Sequence, residues 1–287
     1  MYPRAFGYLR PSSIQETLTC LAQHGEEASV LAGGMSLIPL MKYRQRSPRL
    51  LVDIGRLREL AGVSINSAVL RIGATTRHSE VAAWDADSNI ALFPELAGRI
   101  GDVQVRNMGT VGGGLAAVEP TGDWGTALLA MRGEVTAVAS SGKRRIAADD
   151  LFLGSYRSAL RPDELLTEAV FPLPEGRYGT AAAKFETRAA AAPLMSCAVL
   201  TEFGDDDQVT RAGVACTGLE GFPVRLPGVE ALLCGQRFSA DLLGDAGEAA
   251  RTAAGKAFRG AVLASLVRDA LRRAAERGLH AGKEAVR

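Results

Sequence analysis

Ser29-Val30-Leu31-Ala32-Gly33-Gly34-Met35-Ser36-Leu37-Ile38-Pro39 is the stretch on which the reading of this chain turns. A short apolar run of strand length meets a pair of glycines, and the residues from Ser36 to Arg46 then carry helical spacing, so the segment reads as strand, turn and helix. At the start of a helix the first N–H groups lack intrahelical acceptors and the dipole end is positive, which suits a bound anion. Glycine lets the backbone approach such a ligand with no Cβ in the way, and the Ser36 hydroxyl can donate to it or cap the helix. A strand-Gly-Gly-helix turn is also a common packing device, so on its own this turn leaves both roles open.

Working outward, Ser13 and Glu16 have capping-box spacing ahead of Ile14, Leu18 and Leu21 on one face, a helix that ends near His24-Gly25. Leu50 to Ile54 reads as a second strand, completing a β-α-β unit. Val63-Ser64-Ile65 and Val69 to Ile72, separated by Asn66-Ser67, read as a hairpin. Thr76 to Trp84 and Ala91 to Ile100 have helical intervals, with Pro94 pointing to a late start for the second. The cluster Gly109-Thr110-Val111-Gly112-Gly113-Gly114 is too glycine-dense for the interior of a regular element and reads as a loop. That loop offers a second string of amides, followed by Glu119-Pro120-Thr121-Gly122-Asp123, and two such turns point to one extended ligand. Neither is a Rossmann fingerprint, and no Gly-Lys-Ser/Thr follows to make a P-loop.

Farther on, Asp123 to Met131 reads as a helix, and Glu134 to Ala139 with Arg145 to Ala147 as a hairpin closed by Ser141-Gly142. Pro172-Leu173-Pro174-Glu175-Gly176 marks a boundary, and beyond it strands are expected at Ala198 to Phe203 and Ala212 to Cys216. A last helix from about Gly260 to Arg277 carries Val262, Leu263, Leu266, Val267, Ala270 and Leu271 as a docking stripe.

Bulk properties narrow the chemistry. With 287 residues, several packed lobes are expected. Lys+Arg 33 against Asp+Glu 32 leaves no long-range field for nucleic acid, and Lys143-Arg144-Arg145 reads as a solvated hairpin tip. Cys20, Cys197, Cys216 and Cys234 form no CxxC pair and are expected to be reduced and buried; no metal site is signalled. His24, His78 and His280 lack ligand spacing and read as surface or capping residues, while Trp84 and Trp124 read as core. No nucleophilic constellation can be assembled, so catalytic residues stay unassigned. Without a signal peptide or a membrane-length apolar run, a cytoplasmic location is expected.

Taken together, Ala32-Gly33-Gly34-Met35-Ser36-Leu37-Ile38-Pro39 with Arg44 and Leu51-Val52-Asp53-Ile54, Arg71-Ile72-Gly73-Ala74-Thr75-Thr76, Val105 to Gly113, and Glu119 to Asp123 resemble the FAD-binding medium subunit of molybdenum hydroxylases in order and spacing. Phe152-Leu153-Gly154 and Glu164-Leu165-Leu166 extend the resemblance over essentially the whole chain, most weakly toward the C-terminus. The resemblance implies an α+β fold in which two α/β lobes of the vanillyl-alcohol-oxidase type, 1–58 and 59–175, clasp FAD, and a smaller C-terminal α/β lobe, 176–287, covers the flavin. It further implies that Ala32, Gly33, Gly34, Met35 and Ser36 grip the diphosphate together with Thr110, Gly112, Gly113 and Gly114. By the same resemblance Asp123 lies near the ribose or adenine, Lys184 lies near the isoalloxazine, and Leu166 joins the cofactor-binding set. The implied partners are a molybdenum-cofactor large subunit and a 2Fe-2S small subunit, with electrons leaving to NAD, quinone or oxygen.

The chain departs from the family at three places. Gly114 stands where Asn is usual and Glu119 where Asp is common, and the aligned stretch Arg188 to Pro193, with its run Ala189-Ala190-Ala191-Ala192, lacks the Gly-Asp-aromatic segment that shields the flavin. Two alternatives therefore stay open: a stand-alone FAD enzyme acting directly on a small molecule, and a scaffold relative that has lost FAD.

Overall fold

The computed structural model describes residues 2–188, 192–255 and 257–284. The first lobe is the expected β-α-β unit with one further strand in front: β1 (Gly7–Leu9), α1 (Ile14–His24), β2 (Ala28–Leu31), α2 (Leu37–Lys42) and β3 (Leu50–Asp53). Its parallel sheet runs β1-β3-β2. The Ser13 hydroxyl accepts the Glu16 N–H at 3.2 Å, but the Glu16 carboxylate turns one residue earlier than a capping box requires, to the N–H and hydroxyl of Ser12. Helix α2 stops short of Arg46, because Arg44 turns to φ 60° and the N–H groups of Gln45 and Arg46 both fold back on the Leu40 carbonyl.

The second lobe contains β4 (Val63–Asn66), β5 (Val69–Gly73), α3 (His78–Ala82), α4 (Leu92–Gly98), α5 (Val103–Met108), α6 (Val111–Ala117), α7 (Asp123–Ala130), β6 (Glu134–Ala139), β7 (Gly142–Ala147), α8 (Ala148–Leu151), β8 (Phe152–Gly154), β9 (Arg157–Ser158) and β10 (Leu165–Pro172). Its main sheet, β4-β5-β10-β6-β7, is antiparallel throughout. Ser67 and Ala68 close the first hairpin with φ of 48° and 57°, the mirror turn that matches strand twist. Pro94 does not delay α4: it sits in the first turn, where its missing N–H leaves no bond unmade. Phe93, Leu115, Trp124 and Phe171 share one core with Leu70 and Ile72. The basic run lies along β7 rather than at a tip, each side chain ion-paired: Lys143 with Glu168, Arg144 with Glu164 and Arg145 with Glu134.

The glycine cluster is a helix, not a loop. Thr110 caps α6, its hydroxyl accepting the Gly113 N–H at 3.2 Å, and Gly112, Gly113 and Gly114 all lie inside the helix. Tertiary contact overrides propensity here: a Cβ on Gly112 would come within 2.5 Å of Ala74 Cβ, so only glycine lets α6 lie this close to the end of β5.

The third lobe holds β11 (Arg177–Phe185), β12 (Met195–Phe203), β13 (Val209–Cys216), β14 (Val224–Arg225), α9 (Pro227–Leu233), α10 (Ala240–Ala254) and α11 (Ala257–Glu284), its sheet running β11-β12-β13-β14. Leu263, Val267, Ala270 and Leu271 are buried under that sheet, as the stripe predicted. Arg273 and Arg277 reach from α11 to Glu95 on α4, tying this lobe to the second. Cys20, Cys197 and Cys216 are buried, whereas Cys234, just past the end of α9, is exposed, against expectation. The expected α+β class is the observed one, with helices and separate parallel and antiparallel sheets along the chain.

Candidate functional site

A cavity of about 540 Å³, well within the range of small-molecule sites, opens between the lobes. Ala32, Gly33, Gly34, Met35 and Ser36 line it from the first lobe. Thr110, Gly112, Gly113, Gly114, Asp123 and Leu166 line it from the second, and Lys184 from the third. Every residue expected to bind the cofactor thus faces one space.

The two glycine turns meet there. A Cβ on Gly33 would lie 2.0 Å from the Met108 carbonyl oxygen and 2.8 Å from Gly109 Cα, so the first turn is pressed directly on the backbone before α6. The absent side chains of Gly33 and Gly112 therefore make room for protein, not for a ligand as the sequence reading had it.

The amides of the two turns differ. Among the described residues the N–H groups of Gly33, Gly34, Met35 and Ser36 find no acceptor. In the second turn those of Val111 to Gly114 all do: Val111 donates to Thr76 O at 3.0 Å, Gly112 to Ala74 O at 2.9 Å, Gly113 to the Thr110 hydroxyl and Gly114 to Thr110 O at 3.0 Å. The expected string of free amides exists only in the first turn.

Asp123 and Lys184 also correct the sequence reading. Lys184 Nζ sits 2.8 Å from Asp123 Oδ2, with both side chains almost fully buried, so the two cannot serve opposite ends of an extended dinucleotide. Lys184 also donates to the Arg99 carbonyl at 2.7 Å and lies 3.3 Å from Glu186, whose Oε1 is outside hydrogen-bond geometry. Its charge is compensated by these carboxylates. Burial pushes the Asp123 carboxyl up, Lys184 and the Ser196 hydroxyl opposing, and its Oδ1 is buried outside strict hydrogen-bond geometry.

Residues that the sequence reading did not place here also line the cavity. His78, expected at the surface or as a cap, is 5% exposed and accepts the Trp124 indole N–H on Nδ1 at 3.1 Å, leaving the proton of the neutral ring on Nε2. Burial, with help from Arg106 and Lys184, holds its pKa down at about 4. Trp124 is core, as expected, while lining the cavity too. Glu119 stands among the turns; burial raises its carboxyl, a hydrogen bond with Ser36 pulls it down and the Asp123 charge pushes it up again. Arg46 and Tyr156 line the mouth. The position of His78, two residues beyond the quoted Thr75-Thr76 landmark, was the available signal; for Arg46 and Tyr156 the sequence carried none. His24 is exposed, and the His280 side chain lies outside the described residues. So do Ala189, Ala190 and Ala191 of the alanine run, whereas Ala192 and Pro193 line the cavity.

These features fit FAD. Amides without acceptors in the first turn suit a diphosphate, and a cavity of about 540 Å³ between glycine turns and apolar walls suits the rest of a dinucleotide. Among the described residues no helix is long and apolar enough to cross a membrane, and no group of three or more His, Cys, Asp or Glu could hold a metal ion.

Residues 4–174 match the family model described as the FAD binding domain in molybdopterin dehydrogenase, and residues 181–274 match that of the CO dehydrogenase flavoprotein C-terminal domain. The chain is 34% identical over 246 residues to the glyceraldehyde dehydrogenase medium chain of Sulfolobus acidocaldarius, covering 85% of this chain and 86% of the relative. It is 32% identical over 251 residues to the carbon monoxide dehydrogenase medium chain of Hydrogenophaga pseudoflava, covering 87% of each. A solved carbon monoxide dehydrogenase from Hydrogenophaga pseudoflava, lacking the Mo-pyranopterin moiety of its cofactor, superposes with a TM-score of 0.90 at 31% identity, over 97% of this chain and 100% of that one. With the cavity between the lobes and a family match across more than half its length, the chain belongs to the FAD-binding medium subunits of molybdenum hydroxylase-type dehydrogenases.

Proposed function

We propose that this chain is a cytoplasmic electron-transfer subunit, assembled with a 2Fe-2S small subunit and a molybdenum-cofactor large subunit, through whose FAD electrons pass to NAD, quinone or oxygen. The observation that carries the reading is that the first-turn residues whose N–H groups lack acceptors line one cavity together with Asp123 and Lys184. The relatives support the partners: glyceraldehyde dehydrogenase and carbon monoxide dehydrogenase are each matched through a medium chain, and the solved carbon monoxide dehydrogenase lacks the Mo-pyranopterin moiety of the molybdenum cofactor. Segments 1–58 and 59–175 clasp the dinucleotide in this proposal and 176–287 covers it.

When bound, FAD supplies a carrier that takes up two electrons and can release them singly. The protein's part is binding and orientation. Gly33, Gly34, Met35 and Ser36 offer N–H groups to the diphosphate, and Asp123 holds the Lys184 ammonium beside the cavity. Lys184, compensated by Asp123 and Glu186, keeps a cation beside the cavity at no net cost in charge, and His78 presents a neutral ring throughout the physiological range. Ile100, Leu166 and Pro193 exclude water with apolar surface.

The purified protein is expected to be yellow, with about one FAD per chain, and to pull down a larger molybdenum-binding chain and a small iron-sulfur chain when all three are co-expressed. A colourless preparation that ignores added FAD sinks the cofactor reading. A flavin-loaded chain that oxidises a small molecule unaided and assembles with nothing selects the stand-alone enzyme instead.

A further inference from the structure

The three lobes are not joined alike. The core of the second runs on into the third: Tyr178 of β11, Ala198 and Leu200 of β12 and Ala215 of β13 share one buried cluster with Phe93 and Trp124. Backbones touch along this seam, where a Cβ on Gly213 would run into the Ala130 carbonyl oxygen and one on Gly125 into the Pro223 ring. Polar groups close it: the Thr180 hydroxyl donates to Asn89 O at 2.8 Å and accepts the Leu92 N–H at 3.3 Å, and Lys184 pairs with Asp123. Parting these two lobes would open a shared core and strand a buried ion pair, each at a large cost in free energy.

The first lobe is held differently. Its buried cluster, built on Leu18, Leu21, Val52 and Ile54, takes in one buried side chain from beyond residue 60 among the described residues, Leu165 of β10, with Val138 packed at its edge. Beyond that core, Gly33 rests on the Met108–Gly109 backbone, Arg46 Nη2 donates to Tyr156 O at 3.1 Å across 110 positions of sequence, and Ser36 bonds Glu119. The chain crosses through Gly55 and Arg56, both exposed, to Leu57 and Leu60, whose carbonyls accept from the Thr75 hydroxyl at 3.4 Å and the Thr75 N–H at 2.8 Å. An exposed link followed by an anchored turn has the form of a hinge. The cavity opens along this same seam: Ser29 to Ser36 wall it on the first-lobe side, while Asp123, Lys184 and Pro193 belong to the opposing pair of lobes. A ligand gripped by both walls leaves by the seam that buries least, since an element with few buried apolar contacts opens at the lowest free energy.

We infer that the first lobe is a jaw that swings about residues 55–60 to admit and release the cofactor, while the second and third lobes stay joined as one rigid body. The gate rests on the FAD reading of the cavity; the division into two bodies does not. Cysteines introduced at exposed sites, Thr19→Cys in the first lobe, Asp150→Cys in the second and Ser265→Cys in the third, carry spin labels in pairs for distance measurement by double electron–electron resonance, with Cys234→Ser to clear the exposed native thiol. In the apo-protein the distances from Thr19 to Asp150 and from Thr19 to Ser265 are expected to spread over a range at least about twice that from Asp150 to Ser265. Added FAD is expected to narrow the two broad distributions to the width of the third, in step with the quenching of flavin fluorescence. Three equally narrow distributions in the apo-protein overturn the jaw, and so does an Asp150-to-Ser265 distance that broadens with the others. FAD that binds without narrowing the first two overturns the gate. An apo-protein that takes up no FAD sinks the cofactor reading and the gate with it, while unequal widths would still establish two bodies.

Discussion

The two glycine turns look alike in sequence and do different things in the fold. In the first, the N–H groups of Gly33 to Ser36 have no acceptor among the described residues; in the second, Val111 to Gly114 spend theirs on Thr76, Ala74 and Thr110. In the proposed function the first turn is the anion site and the second is the wall against which it packs. Glycine density measures how closely backbones approach, and the approaching partner here is protein.

Gly33 is where the two turns touch, so it is the place to break the arrangement. Gly33→Val forces a branched side chain against the Met108 carbonyl, 2.0 Å from the position of Cβ, and rigid backbone cannot yield as a side chain would. A loss of about 4 kcal/mol, or on the order of 10 °C in Tm, is expected together with loss of flavin. Gly113→Ala meets only the Thr110 hydroxyl, at 2.7 Å, inside a helix, and should move stability by no more than about 1 kcal/mol. Equal Tm values for the two variants, measured by calorimetry, would remove the seam between the turns from the account.

The second turn is also the one that responds to acid. His78 lies against Gly109, where a Cβ would be 2.7 Å from Nε2, and its pKa is held down at about 4 from 6.5. The unfolded chain binds a proton below about 6.5 that the folded chain refuses until about 4, so stability falls as pH falls through that window. Full titration corresponds to about 3 kcal/mol. His78→Gln, whose side-chain oxygen can accept the Trp124 N–H, should flatten the fall of Tm between pH 6.5 and 4; an unaltered slope means His78 is not the sensing group.

Local rules made much of this fold legible. Ser13 with the Ile14, Leu18 and Leu21 face sets α1, the hairpin expected at Asn66-Ser67 turns one residue later at Ser67-Ala68, and the stripe from Val262 to Leu271 sets the last helix, each through neighbours within a few positions. The glycine cluster was misread because what makes it helical is distant in sequence: the carbonyls of Ala74 and Thr76 take its amides and the Ala74 side chain demands its glycines. The residues expected at the cofactor all line one cavity, yet which of them pair was not legible. Nothing in one dimension says that Lys184 meets Asp123, or that Arg46 crosses to Tyr156. His78 was misjudged because a lone histidine without ligand spacing reads as surface, and only the packed Trp124 ring shows otherwise.

Thr110 sharpens the contrast by a smaller amount. Thr110→Val keeps the shape but removes the oxygen that accepts the Gly113 N–H, at an expected cost of about 1–2 kcal/mol to α6. The freed Gly113 amide then faces the cavity like those of the first turn. Denaturant unfolding should show the loss while the Kd for FAD changes little; a large loss of flavin at unchanged stability would make Thr110 a direct ligand and the second turn an anion site after all.

The smallest effect concerns Glu119, which stands between the turns and bonds Ser36 of the first. Burial raises its carboxyl above the usual range, Asp123 adds to this and Ser36 opposes it. A raised carboxyl favours the protonated form in the folded chain, so its contribution to stability is present at low pH and is lost as pH rises through the raised value. A diphosphate on the first turn adds negative charge nearby, so FAD should bind less tightly as Glu119 ionises. Glu119→Gln stays neutral and removes that pH dependence, with a gain above the transition of about two- to fivefold, the 0.5–1 kcal/mol expected of one partly screened like-charge contact. Parallel FAD titrations of the two proteins from pH 5 to 8 measure it, and curves of the same shape would place the diphosphate away from the first turn.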